Sequence, residues 1–193
     1  MNQNLMIYLR DSDPNIGDAL SSAFNGISSV HVSTGDIFDI TADAIVSPAN
    51  SFGYMDGAID LVYSHFFGWG LQTKLQKIIQ DKHYGELIVG NAEIVATGHT
   101  KIPYLISAPT MRVPCDVSTT INAYLAFRAA LIAVLNFNYQ HLSGIKSILC
   151  PGLGTGVGGI SPFDCAKQIR TAYDVILGDA RGFFPKKFRD CLI

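Results

Sequence analysis

The chain is poor in charge, and neither sign dominates: only 16% of its 193 residues are Asp, Glu, Lys or Arg, and the formal net charge is -2. A protein that grips duplex nucleic acid needs a basic face that neutralises several phosphates, so this balance disfavours such a partner. Cysteine is scarce as well. Cys115, Cys150, Cys165 and Cys191 form no CxxC pair and no cysteine and histidine zinc spacing, and no secretory leader is expected ahead of them. Reduced thiols in a cytoplasmic protein fit this pattern, with Cys150 packing at the end of an apolar run. No hydrophobic stretch reaches the ~20 residues of a membrane span. The longest, AYLAFRAALIAVLNF from Ala123 to Phe137, is broken by Arg128 and reads as a buried helix. No GxGxxG opens a first βα unit, which disfavours a dinucleotide oxidoreductase. No His pair or compact carboxylate cluster calls for a metal. Repeats, linkers and low-complexity tracts are missing too, and the length predicts a single domain over 1–193.

What the chain does have is glycine in two revealing places. AIVSPANSFGYMDGAID (Ala44 to Asp60) and SILCPGLGTGVGGISP (Ser147 to Pro162) are both apolar runs that break into a glycine loop and then a helical pattern. A loop of this kind at a helix start presents backbone N–H groups to a phosphate. Two of them suggest a diphosphate, provided that they meet over one crevice at the carboxyl ends of neighbouring strands.

Between these anchors the pattern alternates. Strands are expected at Leu5 to Asp11, from Ile27 to an end at Thr34-Gly35-Asp36, at Asp43 to Ser47, Ala92 to Gly98, Pro103 to Thr110 and Ile145 to Cys150, with turn residues and a short helical pattern in DPNIGDALSSAF between the first two. Helices are expected from Asp56 to Phe67, from Leu71 to His83, up to about Asn136 with Ser118 or Thr119 as cap, and from Ser161 to Leu177 with Ser161 as N-cap and Pro162 at its first position. Trp69 and the Phe66-Phe67 pair read as core between two helices. The tail from Gly178 to Ile193 has no clear pattern. The whole predicts a three-layer α/β/α domain with a mixed, largely parallel central sheet, any antiparallel pairing falling where two early strands lie close together.

Four pieces together resemble the macrodomain family, the ADP-ribose-binding α/β module: Gly35-Asp36-Ile37, Asp43 to Asn50, the Gly/Asp segment to Asp60, and Gly154-Thr155-Gly156-Val157-Gly158-Gly159. They occur in the family's order, and the likeness runs from about Val30 to Leu177. The resemblance implies that Asp36 holds the adenine amino group, that the Ile37 N–H meets the ring, and that Asn50 touches the distal ribose. It implies that backbone at Gly57 and from Gly154 through Gly159 cradles the phosphates, with the Thr155 hydroxyl assisting. Asp60, ten positions after Asn50, matches the catalytic aspartate of one hydrolytic branch and would act as general base on a water.

The chain departs from the family at several points. Ala58 and Gly158 stand where another glycine and an aromatic are common, and Ser64, with His65 beside it, stands where that branch has a histidine. Tyr54, Phe52 or Phe163 would have to replace the missing stacking ring. Asp56 is an extra acid that either caps a helix or faces the ribose, as a second candidate for handling the water. Arg112 reads equally as a phosphate contact or as a local ion-pair partner. The expected function is binding of ADP-ribose or an ADP-ribosylated substrate, without a cofactor, and hydrolysis of an ADP-ribosyl bond in the manner of a mono-ADP-ribosyl hydrolase or an ADP-ribose-1″-phosphate phosphatase. The alternative is a non-catalytic reader or sequestering protein for such a nucleotide.

Overall fold

A computed structural model describes residues 5–178. The elements follow in the order β1 (Met6–Asp11), α1 (Pro14–Ala23), β2 (Val30–Thr34), β3 (Ala44–Ser47), α2 (Ala58–Phe67), α3 (Gly70–His83), β4 (Glu93–Ala96), β5 (Tyr104–Ser107), α4 (Asn122–Gln140), β6 (Ser147–Cys150) and α5 (Pro162–Ile176), with a short 3-10 turn at Ile37–Asp39. One six-stranded sheet takes the order β2-β1-β6-β3-β5-β4. The pairs β1–β2, β1–β6, β3–β6 and β3–β5 are parallel, and β4 runs antiparallel to β5. The mixed, largely parallel sheet is therefore as expected, but its antiparallel pair falls later in the chain than the sequence suggested. The early strands β1 and β2 are joined through α1, and such a helical crossover returns the chain parallel.

The sheet is buried on both faces, as a continuous apolar strand requires. Every residue of β3 is buried. Successive side chains point to opposite faces, so Ala44 and Val46 join Ile7, Leu9, Ile148 and Cys150 under α1, α4 and α5. Ile45, Leu105 and Leu149 face the other way, onto Tyr63 of α2 and Leu71, Leu75 and Ile79 of α3. Side chains of this size contribute roughly 1.5–3 kcal/mol each when fully buried. The short central strands hold their register through this double packing.

Caps decide some of the helix boundaries. Ser161 accepts from the Asp164 N–H at the start of α5, with Pro162 following, as the sequence predicts. Helix α4 starts later than expected and without a side-chain cap: Ile121 occupies its N-cap, and neither Ser118 nor Thr119 caps it. The Thr120 hydroxyl instead donates to the Val117 carbonyl at 2.7 Å, closing a turn just ahead of the helix. Trp69 is 50% exposed at the start of α3 and not in the core, whereas Phe66 stacks on Phe38 with ring centroids 3.7 Å apart. No helix among the described residues is long and apolar enough to cross a membrane.

Candidate functional site

Strands β3 and β6 are hydrogen-bonded neighbours running in one direction, so the loops that leave them open at the same sheet edge. The end of β1 flanks β6 and the end of β5 flanks β3. Four segments consequently surround one cleft of about 510 Å³: Asp11 to Asp13, Pro48 to Asp60, Thr110 to Pro114, and Gly152 to Gly158. That volume lies in the ~300–1,000 Å³ range of sites that enclose small ligands and cofactors.

The loop after β6 offers backbone. Gly154 has φ +70° and lies so close to Ile160 that a Cβ would approach its Cδ1 to 2.7 Å, while a Cβ on Gly158 would meet the Gly154 oxygen at 2.6 Å. Both glycines are required by the turn itself. Gly156 differs: a Cβ there would meet no protein atom within 4 Å, and the space beside it is the cleft. The turn closes on itself through Ile160 N–H to Gly154 O at 3.0 Å and Gly159 N–H to Gly156 O at 3.1 Å. Thr155, Gly156, Val157 and Gly158 all line the cleft, whereas Gly159 uses its N–H within the turn and does not.

The loop after β3 offers side chains. Asn50 braces it, its Oδ1 accepting from the N–H groups of Phe52 (3.1 Å) and Tyr54 (3.3 Å) and its Nδ2 donating to Tyr54 O (2.8 Å), while the residue lines the cleft wall. The N-cap of α2 is Gly57 with no side-chain cap bond, so Asp56 does not cap the helix; it is exposed on the cleft. Asp60 sits in the first turn of α2, only 7% exposed, at the floor of the cleft. Ser47, the last residue of β3, donates its hydroxyl to Asp60 Oδ1 at 2.5 Å. Burial pushes the Asp60 carboxyl up to about 7, and the Ser47 bond only partly counters it. A carboxyl with that affinity can hold or release a proton at neutral pH. Ser64, where a histidine is common in the resembling branch, is buried and donates to Met55 O at 2.6 Å, and His65 is exposed against Trp69.

A sequence model of the Macro domain family matches residues 46–169, a span that holds both glycine loops. The chain belongs to the Macro domain family. An uncharacterized protein from Aquifex aeolicus is 33% identical over 131 residues, covering 68% of this chain and 72% of that protein. Among solved structures, the macrodomain of Mycobacterium tuberculosis DarG superposes with a TM-score of 0.62 at 22% identity, covering 76% of this chain and 90% of the other. A glycine-to-valine mutant of the Oceanobacillus iheyensis macrodomain with ADPR gives a TM-score of 0.60 at 19% identity, covering 75% and 76%. At these identities the structural likenesses concern the fold.

The macrodomain cleft gathers Asn50, Asp56, Gly57, Asp60, Gly154, Thr155, Gly156, Val157 and Gly158, but not all the residues picked out by sequence. Asp36 and Ile37 do not line it. Asp36 follows the edge strand β2, its Oδ1 accepting from Phe38 N–H at 2.9 Å and its carbonyl accepting from Arg10 Nε at 2.7 Å, while Ile37 is buried in the core. Their loop adjoins one end of the cleft, because Gly35 N–H donates to Asp11 O at 2.9 Å.

The residues that sequence reasoning missed are those after β1: Asp11, Ser12, Asp13 and Ile16. Asp11 ties β1 to the second glycine loop by accepting from Gly152 N–H at 2.9 Å and from Asp13 N–H at 3.0 Å. An aspartate ending an apolar strand, with a second two residues later, was the available signal. Of the three aromatics considered as a stacking ring, only Tyr54 lines the cleft; Phe52 lies under the Arg112 guanidinium, and Phe163 is exposed outside it. Arg112 pairs locally, Nε and Nη2 both donating to the Glu86 carboxylate. Cys150 and Cys165 are buried with their thiols pushed up by burial, consistent with packing roles, and Cys191 lies outside the described residues. No group of three or more metal-binding side chains occurs among the described residues.

Proposed function

We propose that this macrodomain binds ADP-ribose in the cleft and hydrolyses the bond between its distal ribose and an attached acceptor. The observation that carries the reading is the convergence of the glycine loops after β3 and β6 on one cleft, with Asp60 buried at its floor. The diphosphate rests on the N–H groups of Thr155 to Gly158, whose partners are otherwise sparse. Adenine lies toward Asp11 to Ile16, adjoining the Asp36 loop, and the distal ribose toward Asn50 and Asp60. Asp60 in its ionised form takes a proton from a water. The water oxygen bonds to the anomeric carbon, the bond to the acceptor breaks with its electron pair on the acceptor, and the acceptor gains a proton. One water is consumed, and free ADP-ribose and free acceptor result.

Calorimetric titration tests the binding step: ADP-ribose should give a saturable heat and AMP a weaker one, and a folded protein that gives none at millimolar ADP-ribose overturns the reading. Release of ADP-ribose from a mono-ADP-ribosylated protein tests the chemistry. Turnover by wild type, lost on the order of 100-fold or more in Asp60→Asn while ADP-ribose affinity stays within a few fold, is the expected result. Binding without any product from wild type would leave a reader in place of an enzyme.

A further inference from the structure

The cleft is built for a diphosphate and yet offers it no cation. Four carboxylates line it, Asp11, Asp13, Asp56 and Asp60, and no Lys, Arg or His does so among the described residues. The two arginines next to cleft residues in sequence are committed elsewhere. Arg10 donates through Nη1 to Ser33 Oγ at 2.9 Å and through Nη2 to Asp39 Oδ2 at 3.0 Å, besides its bond to the Asp36 carbonyl. Arg112 forks onto Glu86 at 2.7 and 3.1 Å and lies 5.0 Å from the centre of the Phe52 ring.

Negative charge on the ligand is thus met by backbone N–H groups alone, at the turn after β6 and at the uncapped start of α2, where Gly57, Ala58 and Ile59 line the cleft. A carboxylate and a phosphate brought together without a counter-cation repel. The carboxylates are not equally placed. Asp11 has both oxygens occupied by the amides of Asp13 and Gly152, and Asp13 holds Asn15 through its N–H and its side-chain amide. Asp56 carries no hydrogen bond in the described structure, is exposed, and stands with Asn50 and Asp60 on the loop after β3. A charged group added to the distal ribose would therefore meet Asp56 and Asp60 together.

We propose that the cleft takes ADP-ribose joined at its distal carbon to an uncharged or cationic group, and rejects the same nucleotide carrying a phosphate there. This rests on the ADP-ribose reading above and chooses between its two reaction types: the acceptor released is a neutral or basic side chain, not inorganic phosphate. Of the four carboxylates, Asp56 is the one free to act on the ligand's distal end by charge alone.

Parallel titrations of the wild-type protein with ADP-ribose and with ADP-ribose-1″-phosphate, at pH 7.5 and 50 mM salt, separate this proposal from the reading beneath it. The expected result is at least about tenfold weaker binding of the 1″-phosphate, no phosphate release, and a gap that narrows at 500 mM salt. Asp56→Asn should shrink the gap mainly by improving the 1″-phosphate. Binding of both ligands with equal affinity, or a gap unmoved by salt and by Asp56→Asn, overturns the charge account while leaving ADP-ribose binding intact. Failure of both ligands to bind removes the underlying reading instead.

Discussion

The two loops that face each other across the cleft solve the same problem by opposite means. After β6 the chain presents main chain: two of its glycines are dictated by the turn's own geometry, and a third, Gly156, borders only open space. After β3 it presents side chains: Asn50 tying the loop to itself, Asp56 in the open, Asp60 beneath. Backbone amides bind phosphate with little reorganisation and without regard to pH, whereas carboxylates add discrimination and proton transfer. On the function proposed above, affinity resides in one loop and chemistry in the other.

The sharpest way to break that division is to fill Gly156. Gly156→Val should leave the melting temperature near the wild-type value, because a Cβ there touches nothing, yet weaken ADP-ribose by about 100-fold, close to 3 kcal/mol. That magnitude corresponds to losing one or two hydrogen bonds to a charged group. A bulky residue tolerated at 156 with unchanged affinity would mean that the ligand does not approach this turn. Gly158→Val makes the control, since its clash with the Gly154 oxygen should lower stability as well as binding.

Asp60 supplies the next largest effect and a pH signature. Its carboxyl is raised from 3.8 to about 7 by burial, so ionisation opposes folding. The stabilising effect of keeping it protonated is complete below about pH 4 and is lost as pH rises to about 7. Around it, Ser47 of β3 donates its hydroxyl to the carboxylate, and the buried Tyr63 of α2 donates its own to the Val46 carbonyl at 3.2 Å. Tyr63 and Cys150 have their own titrations pushed upward and stay neutral through this range. Asp60→Asn removes the ionisation and keeps an oxygen for Ser47. Chemical denaturation should therefore show the variant gaining roughly 2 kcal/mol on wild type between pH 5.5 and pH 8.5. Hydrolysis by wild type should rise through the same interval as the base ionises. A stability difference flat with pH would place the Asp60 carboxyl in ordinary solvent and remove the reason to assign it the proton.

The contrast between the loops also explains what could be read from residues alone. Strands β3 and β6 were legible because short apolar runs that empty into turn residues, Pro48 to Gly53 after one and Pro151-Gly152 after the other, have few other solutions, and the helix start at Ser161-Pro162 was legible because its capping is local. The glycine turn after β6 was legible for the same reason. The role of Asp11 was not, since its partner Gly152 lies 141 positions away and only the sheet order brings them together. Asp56 as a helix cap was a sound local reading that the chain's path overrode: Gly57 takes the N-cap in extended conformation. Asp36 carries its sequence signal into a turn where the nearest donor, Phe38 N–H, lies two residues away. Local chemistry and the meeting of the two loops were readable, and the individual side-chain partners across the sheet were not.

The smallest effect sharpens the comparison at its weakest point. Ala58, the first residue of α2, is held at φ +48°, a left-handed conformation that costs a residue with a Cβ about 1–2 kcal/mol. Only Tyr84 shares this among the described non-glycine residues. Glycine would adopt the conformation without that strain but would give back part of the gain as extra freedom in the unfolded chain. Ala58→Gly should thus stabilise the fold by roughly 0.5 kcal/mol, a shift of a few degrees at most in a thermal melt. Because Ala58 also lines the cleft, the removed methyl group brings the backbone of the first loop nearer to a bound ligand. Stabilisation together with tighter ADP-ribose binding would mean that the first loop can be moved toward the glycine-rich style of the second. Stabilisation with weaker binding would mean that the strained alanine holds Asp56 and Asp60 in register, and that the side-chain loop depends on a rigidity its partner does not need.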